Sequence, residues 1–477
     1  MTKSFLYKFL SAFLFIVFIN IANHSLQSDR NNIYQSNAET GLFPKKNDFF
    51  YFDYYLDLYP LKSLVKPTIK DLSKKKALEK LSNIESLVME EGHIVRFGGF
   101  FINYLFYFDA FIFKNILDPS VKTFNIIFFN FALFLTLLSF FIKKKYLLGT
   151  FFCYLISSNP FQIYEVYQNE NVFGIFISIL LLLSSFYIFL TNLDKSKKYF
   201  YYVILYSILC VCIISFFIFV RSNFIIFIFP FFLSFFFLKL NIVKKSLIIS
   251  ISIIFFILLN VIFKNIVDDK LNKTKNILIA NNGKYLDVQL QFHERFFPIY
   301  VGLNEFKTKL NFGFWHDDEG NAVLERKNFI VTEIMSKKSK NGYNLHPVNE
   351  IDGYDGYFKD EIIKLAKEDN YLIPKLIYNR LNYSLNNLSP IQFNLVLFKI
   401  TFDNNLLIKF FLILYFLTVI SLLKNKSWQY IYLIILFSSG ALYCLIFPPS
   451  LGLSYYIIAH YFLFSLLISQ IINFIRT

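Results

Sequence analysis

What most constrains this chain is a feature that recurs along it: uncharged or nearly uncharged apolar runs, each about 20 residues long and each without a single Asp or Glu. A run of that length crosses a bilayer as a helix, because only a helix satisfies all its backbone polar groups within one segment. Candidate spans lie at residues 5–22, 121–142, 146–164, 172–191, 199–220, 222–238, 246–263, 406–423, 428–447 and 452–473. The pattern predicts an all-α polytopic membrane protein with about ten transmembrane helices. Composition agrees: 56% of the 477 residues are apolar and 17% are charged, against about 45–50% and about 25% in soluble domains. An ordinary soluble enzyme, a disordered chain and a secreted disulfide scaffold are thereby excluded. Cys153, Cys210, Cys212 and Cys444 all lie in apolar runs. Cys210 and Cys212, two apart on a helix, point to different sides and suit neither a metal pair nor a disulfide. The 64 Phe reflect codon composition as much as design, so no aromatic stripe is read as a binding box.

The net charge of +15 would suit a nucleic-acid partner if it were clustered on a folded domain, but its distribution points elsewhere. With the N-terminus inside, the short inner segments carry Lys3 and Lys8, Lys143 to Lys145, Lys195, Lys197 and Lys198, Lys239, Lys244 and Lys245, Lys424 and Lys426, and Arg476. The short outer loops carry Arg221 alone. This asymmetry orients the helices with both termini cytoplasmic and leaves no call for nucleic acid. Every carboxylate except Glu165, Glu170 and Asp194 falls in two long segments, 23–120 and 264–405, which this topology puts outside. The expected organisation is a membrane domain at 1–263 with its first outer loop at 23–120, an outer loop domain at 264–405, and C-terminal membrane helices at 406–477.

The first span has Lys3 and Lys8 ahead of an apolar core, as a secretory signal does, but it is long for one and lacks a small-x-small cleavage site. Phe97 to Phe113 is apolar enough to suggest another span. It contains Asp109, however, and an extra crossing would put Lys143 to Lys145 on the wrong side. It reads instead as an interfacial or re-entrant helix entered through Gly98-Gly99, paired with an amphipathic stretch near Lys74 to Glu91. No internal repeat is visible, and no span holds a carboxylate, which argues against an ion-coupled carrier.

Chemistry, if present, belongs at the outer surface. Asp29 is the first acid after the first span. Asp53 and Asp57, four apart among aromatics at 50–60, would share one face of a helix. The plainer readings are a turn cap for Asp29 and the wet face of an interfacial helix for the pair. Arg221 stands against the orientation trend, as a phosphate contact would, and an arginine reaching to lipid headgroups is the equal alternative. Arg96 is open to the same two readings. Glu170 lies in a short outer loop with two acids and no base. His293 and Arg295 sit in the second long segment in Gln291-Phe292-His293-Glu294-Arg295, and His316 precedes Asp317-Asp318-Glu319. That last group could hold a divalent cation, but it has no further ligands at a recognised spacing and reads better as a turn, so no cofactor is expected beyond such a cation. No Gly-rich phosphate loop, Ser-His-Asp arrangement or zinc spacing is present.

The order of parts resembles the glycosyltransferase C superfamily: a first span, a long first outer loop with an early acid at Asp29 and interfacial helices, an outer turn at Asn159-Pro160, and Arg221 at the outer end of a later span. The likeness covers roughly residues 1–240. It implies a polytopic enzyme, expected in a bacterial inner membrane, that transfers a sugar from a polyprenyl-phosphate donor to a glycan, lipid or protein acceptor. On that resemblance Asp29, or else Asp53 or Asp57, is the base, Arg221 and Arg96 contact the donor phosphate, and Glu170, His293 and Arg295 serve the acceptor. A polysaccharide polymerase or ligase would shift the weight to His293, Arg295 and Arg326. A flippase would need polar residues along a path through the spans, where only scattered residues such as Asn125 and Asn130 occur.

Overall fold

The computed structural model of the chain describes residues 3–27, 57, 62–63, 87–89, 101–112, 121–159, 166, 173–220, 222–280, 284–285, 354–368, 371, 374, 391–395, 398–402, 405–446 and 453–476. In chain order the helices are α1 (Lys3–Gln27), α2 (Ile102–Ile112), α3 (Val121–Ile142), α4 (Tyr146–Ser158), α5 (Phe173–Asn192), α6 (Tyr199–Val220), α7 (Ile228–Ser234), α8 (Ile242–Ala280), α9 (Tyr354–Glu368), α10 (Asn405–Lys424), α11 (Trp428–Ile446) and α12 (Leu453–Arg476). Each of the ten stretches predicted to be apolar spans contains described helix, at 146–164 only as far as Ser158. Five helical segments, Lys3–Ala22, Val121–Ile142, Ile175–Asn192, Tyr199–Val220 and Ile242–Thr274, are long and apolar enough to cross a membrane. The departures from helix are short strands: β1 (Lys62–Ser63), β2 (Leu87–Met89), β3 (Lys284–Tyr285), β4 (Ile391–Leu395) and β5 (Phe398–Phe402).

Burial separates the centre from the rim. In α5, 78% of the apolar window is buried, against 11% for α8 and 22% for α1. A helix that is hydrophobic all round can be buried on every side, and Ile175, Phe176, Ile177 and Ile179 to Leu183 are all buried in succession. The closest packing joins α3 to α5, and α6 runs beside α8. α4 is packed against α1, α3 and α12, and α11 against α12. Phenylalanine fills the joints. Phe9 meets Phe134 and Phe141 edge-on, and Phe152 lies against Phe437 and Phe462.

Between apolar helices in lipid, close approach and isolated hydrogen bonds do the specifying. Thr136 Oγ1 donates to the Leu181 carbonyl at 3.0 Å, from α3 to α5. Ser207 bonds Ser252, and Asn260 Nδ2 donates to Ser215 Oγ at 3.3 Å, so α6 and α8 are joined at two levels. Asn159 Nδ2 donates to Tyr461 Oη at 2.6 Å, tying the end of α4 to α12. A Cβ on Gly149 would lie 2.6 Å from Phe140 Cβ, so glycine is what lets α4 fold back onto α3.

Two of the predicted spans depart from regular helix. α4 stops at Ser158, and Asn159 is extended (φ −77°, ψ 120°), as expected of the residue before Pro160. The 222–238 span is a composite: a 3₁₀ segment Ser222–Phe227, then α7, then a 3₁₀ segment Phe235–Phe237. A 3₁₀ turn rises about 2.0 Å per residue against 1.5 Å in an α-helix, so these residues cover about 28 Å, close to a hydrocarbon core.

The basic segments meet at one end of the bundle. Lys143 Nζ donates to Thr191 Oγ1 at 2.6 Å and also bonds Gln429, while Lys239 pairs with Asp194 at 2.7 Å. Phe237 lies tilted beside Trp428, and Phe5 meets Phe141 edge-on. Two hairpins at this end close in the same way. Lys145 N donates to the Phe140 carbonyl and Lys144 N to Phe141, and likewise Ser427 N to Leu422 and Lys426 N to Leu423. These are Schellman closures, with Lys144 (φ 58°) and Lys426 (φ 50°) in the left-handed position that glycine usually fills.

Candidate functional site

The opposite end of the bundle is where the two long segments begin. α1 continues to Gln27, two residues short of Asp29. α2 lies across the end of α6 and α8: Phe101 N donates to the Phe219 carbonyl at 3.3 Å, and its ring sits 4.9 Å from that of Phe263. The predicted helix near 97–113 is thus present as α2, beside the end of α3. Of the amphipathic stretch expected near Lys74 to Glu91, Leu87–Met89 is a strand, and its other residues lie outside the described ones.

α8 does not stop with its apolar stretch at residue 263. It runs 39 residues, about 58 Å, and so passes straight through the expected boundary between membrane domain and outer loop. Ile266, Val267 and Leu271 still pack on the core, which keeps this extension helical. At the edge of the same face, four residues after Ile266 and three after Val267, stands Lys270, with Lys273 three further on; the two lie about six to nine residues beyond Lys264, the first charge after the apolar stretch. Their ammonium groups converge on Asp57. Lys270 bonds one carboxylate oxygen and Lys273 the other, across more than 200 residues of chain. Asp57 is in the left-handed region with φ 54°, so it is not one of two carboxylates on a helix face, as its spacing from Asp53 predicts. The pair of lysines over-determines a conformation that is unfavourable for a non-glycine residue.

The charge balance at this cluster is uneven. Partial burial pushes the Asp57 carboxyl upward, but hydrogen bonds and charges from Lys270 and Lys273 together outweigh it and hold the group below its ordinary value. Asp57 and Lys273 are about half exposed, at 52% and 46%, while Lys270 is 22% exposed. A second link lies alongside, where β2 pairs in parallel with β3, Val88 opposite Lys284 and Met89 opposite Tyr285. β1 completes the sheet antiparallel to β2. The first long segment is therefore bound to the start of the second by both a backbone ladder and an ion cluster. The β4–β5 hairpin, in register from Ile391↔Phe402 to Leu395↔Phe398, lies against α4.

Of the site residues singled out from the sequence, only Asp57 falls among the described residues. Asp29, Asp53, Arg96, Glu170, Arg221, His293 and Arg295 lie outside them, as do His316 to Glu319 and Arg326. Lys270 and Lys273 are not among the residues that the sequence singles out, whereas Asp109 is noted there as an acid inside an apolar run. Lys270 and Lys273 were lost among many lysines, and nothing local marks them, because their partner is remote. Asp109 is 2% exposed on α2 and is the one carboxylate buried among the residues whose exposure is described. An acid inside an apolar run was its signal. Among the described residues no group of three or more His, Cys, Asp or Glu side chains gathers as a metal site would need. Comparison with known proteins finds no matching family model, no matching curated sequence and no matching solved structure.

Proposed function

We propose that this chain is an integral membrane glycosyltransferase that moves a sugar from a polyprenyl-phosphate donor to an acceptor at the outer face of a bacterial inner membrane, with inversion. In this reading all ten apolar helical stretches cross the bilayer, the basic end and both termini face the cytoplasm, and the end bearing Asp57, Lys270 and Lys273 faces out. The observation that supports it most is the convergence of the two carboxylate-rich segments on the extension of α8, where an acid and two cations meet about 10–15 Å beyond the apolar stretch.

The chemistry asks for little more. The acceptor hydroxyl gives its proton to a carboxylate as its oxygen bonds the sugar carbon. The bond from that carbon to the phosphate oxygen breaks, and the phosphate leaves with the electron pair, stabilised by a cation. Asp57, held by two ammonium groups, is a weaker base than an unpaired carboxylate, so the base role goes to Asp29 or Asp53. Arg221 and Arg96 contact the donor phosphate, and Glu170, His293 and Arg295 line the acceptor side.

The test is transfer by the full chain in proteoliposomes supplied with a panel of polyprenyl-phosphate sugars. Asp29→Asn or Asp53→Asn should lower the rate at least about 100-fold, and Asp57→Asn much less. Undiminished transfer in all three would sink the carboxylate base and favour the polymerase or ligase reading centred on His293, Arg295 and Arg326. Movement of a lipid-linked glycan between leaflets with no new glycosidic bond would sink both.

A further inference from the structure

Lys270 and Lys273 do not need Asp57 in order to fold. They are three apart on a helix that continues through them, with Thr274 Oγ1 bonding the Lys270 carbonyl at 2.8 Å. What they hold is a carboxylate that comes from a distant segment, one ammonium group to each oxygen. A tetrahedral phosphate offers the same arrangement of two anionic oxygens with more charge, and charge-assisted bonds to it are stronger. Two ammonium groups meet one carboxylate, and half of the Asp57 side chain is open to solvent, so exchange needs no opening of the core. Asp268 and Asp269 on the same helix moderate this excess. Asp269 lies one turn before Lys273, at the spacing of an ordinary helical pair.

We infer that Lys270 and Lys273 form a phosphate-binding site at the membrane surface, occupied in this structure by Asp57 as an exchangeable internal counter-ion. Phosphate binding displaces Asp57 from α8 and releases the ionic half of the link between the two long segments, leaving the β2–β3 ladder as the remaining tie. The inference does not depend on sugar transfer and stands or falls without a donor.

The experiment measures binding of two probes to the full chain in nanodiscs of neutral lipid: inorganic phosphate in solution, and phosphatidic acid mixed into the disc. Native mass spectrometry counts retained lipid phosphate. Spin labels at Ser63→Cys and Asn272→Cys report the separation of the two segments. Removing the competitor with Asp57→Asn should tighten binding about fivefold. Lys270→Gln with Lys273→Gln should weaken it at least about tenfold. In the wild type the label distance should lengthen as probe is added. A response to both probes identifies free phosphate as sufficient, whereas a response to phosphatidic acid alone identifies the lipid headgroup. Lys270→Arg with Lys273→Arg keeps the charges and should bind, which covers the case in which the Gln pair fails to fold. Unchanged binding in Asp57→Asn, or wild-type binding in a folded Gln pair, overturns the inference.

Discussion

Lys143 sits where α3 ends, with its amine turned inward onto Thr191 of α5 and Gln429 of α11. Burial is the largest influence on it and lowers its pKa. Asp194 works the other way, Lys239 and Lys145 add to the lowering, and the result is about 8 against an ordinary 10.5. The sign of the consequence follows from proton counting. Between about 8 and 10.5 the unfolded chain holds this proton and the folded chain does not, so the contribution of Lys143 to stability rises with pH across that window. It amounts to no more than about 3 kcal/mol, and less because the amine is partly reached by solvent. Lys143→Met should remove this alkaline gain. The rise in melting temperature from pH 7.5 to pH 9.5 in detergent should be smaller in the variant than in the wild type, and equal rises would show that Lys143 carries its proton in both states. Asp57 obeys the opposite rule. Its lowered pKa means that its contribution is present above the ordinary carboxylate range and fades as pH falls toward the folded value.

At the scale of elements, the hairpins at the basic end show how the chain reconciles sidedness with backbone geometry. The turns after α3 and α10 both need a left-handed residue, and both put lysine there, at Lys144 and Lys426. Lysine in that region costs roughly 1 kcal/mol relative to glycine, and it keeps positive charge at the end that orients the helices. Lys426→Gly should therefore raise stability by about 0.5–1 kcal/mol in a detergent melt, and a lower melting temperature would show that the lysine side chain is needed there. Gly149 answers to a different constraint, because its neighbour is Phe140 at a distance no Cβ tolerates. Gly149→Val should destabilise the α3–α4 hairpin by about 1–3 kcal/mol and reduce the yield of folded protein, while a wild-type melt would mean that the two helices slide apart at little cost.

Over the whole molecule, the helices are packed so that basic turns gather at one end and the starts of the long segments at the other. With ten crossings, cysteines placed at Ser196 and Asn425 should be labelled by an impermeant reagent only in inverted vesicles, and one at Lys284 only in right-side-out vesicles. Labelling of all three from one side would break the proposed topology. The buried Cys153 and Cys210 give little background. The apolar face of α8 shows why stability must be measured in a lipid or detergent environment: Ile254, Ile257, Leu258 and Val261 are all more than half exposed and would be covered by hydrocarbon chains.

Membership of a membrane, the helical state of each apolar run and the sorting of charge could be read from residues 1–477 alone, because hydrophobic length and the cost of unpaired backbone in lipid act locally. The irregular passage at 222–237 could not, since apolar residues do not announce whether their turns will be 3₁₀ or α. Nor could the end of the apolar part of α8 be taken as the end of the helix, because Lys264 to Lys273 look like loop until Ile266, Val267 and Leu271 are seen packing on the core. The joining of Asp57 to Lys270 and Lys273 was beyond any pattern in the sequence. Charge pairs across more than 200 residues leave no spacing to recognise, and only the packing of α8 and the β2–β3 pairing decides which carboxylate, of all those outside the apolar runs, reaches those two lysines.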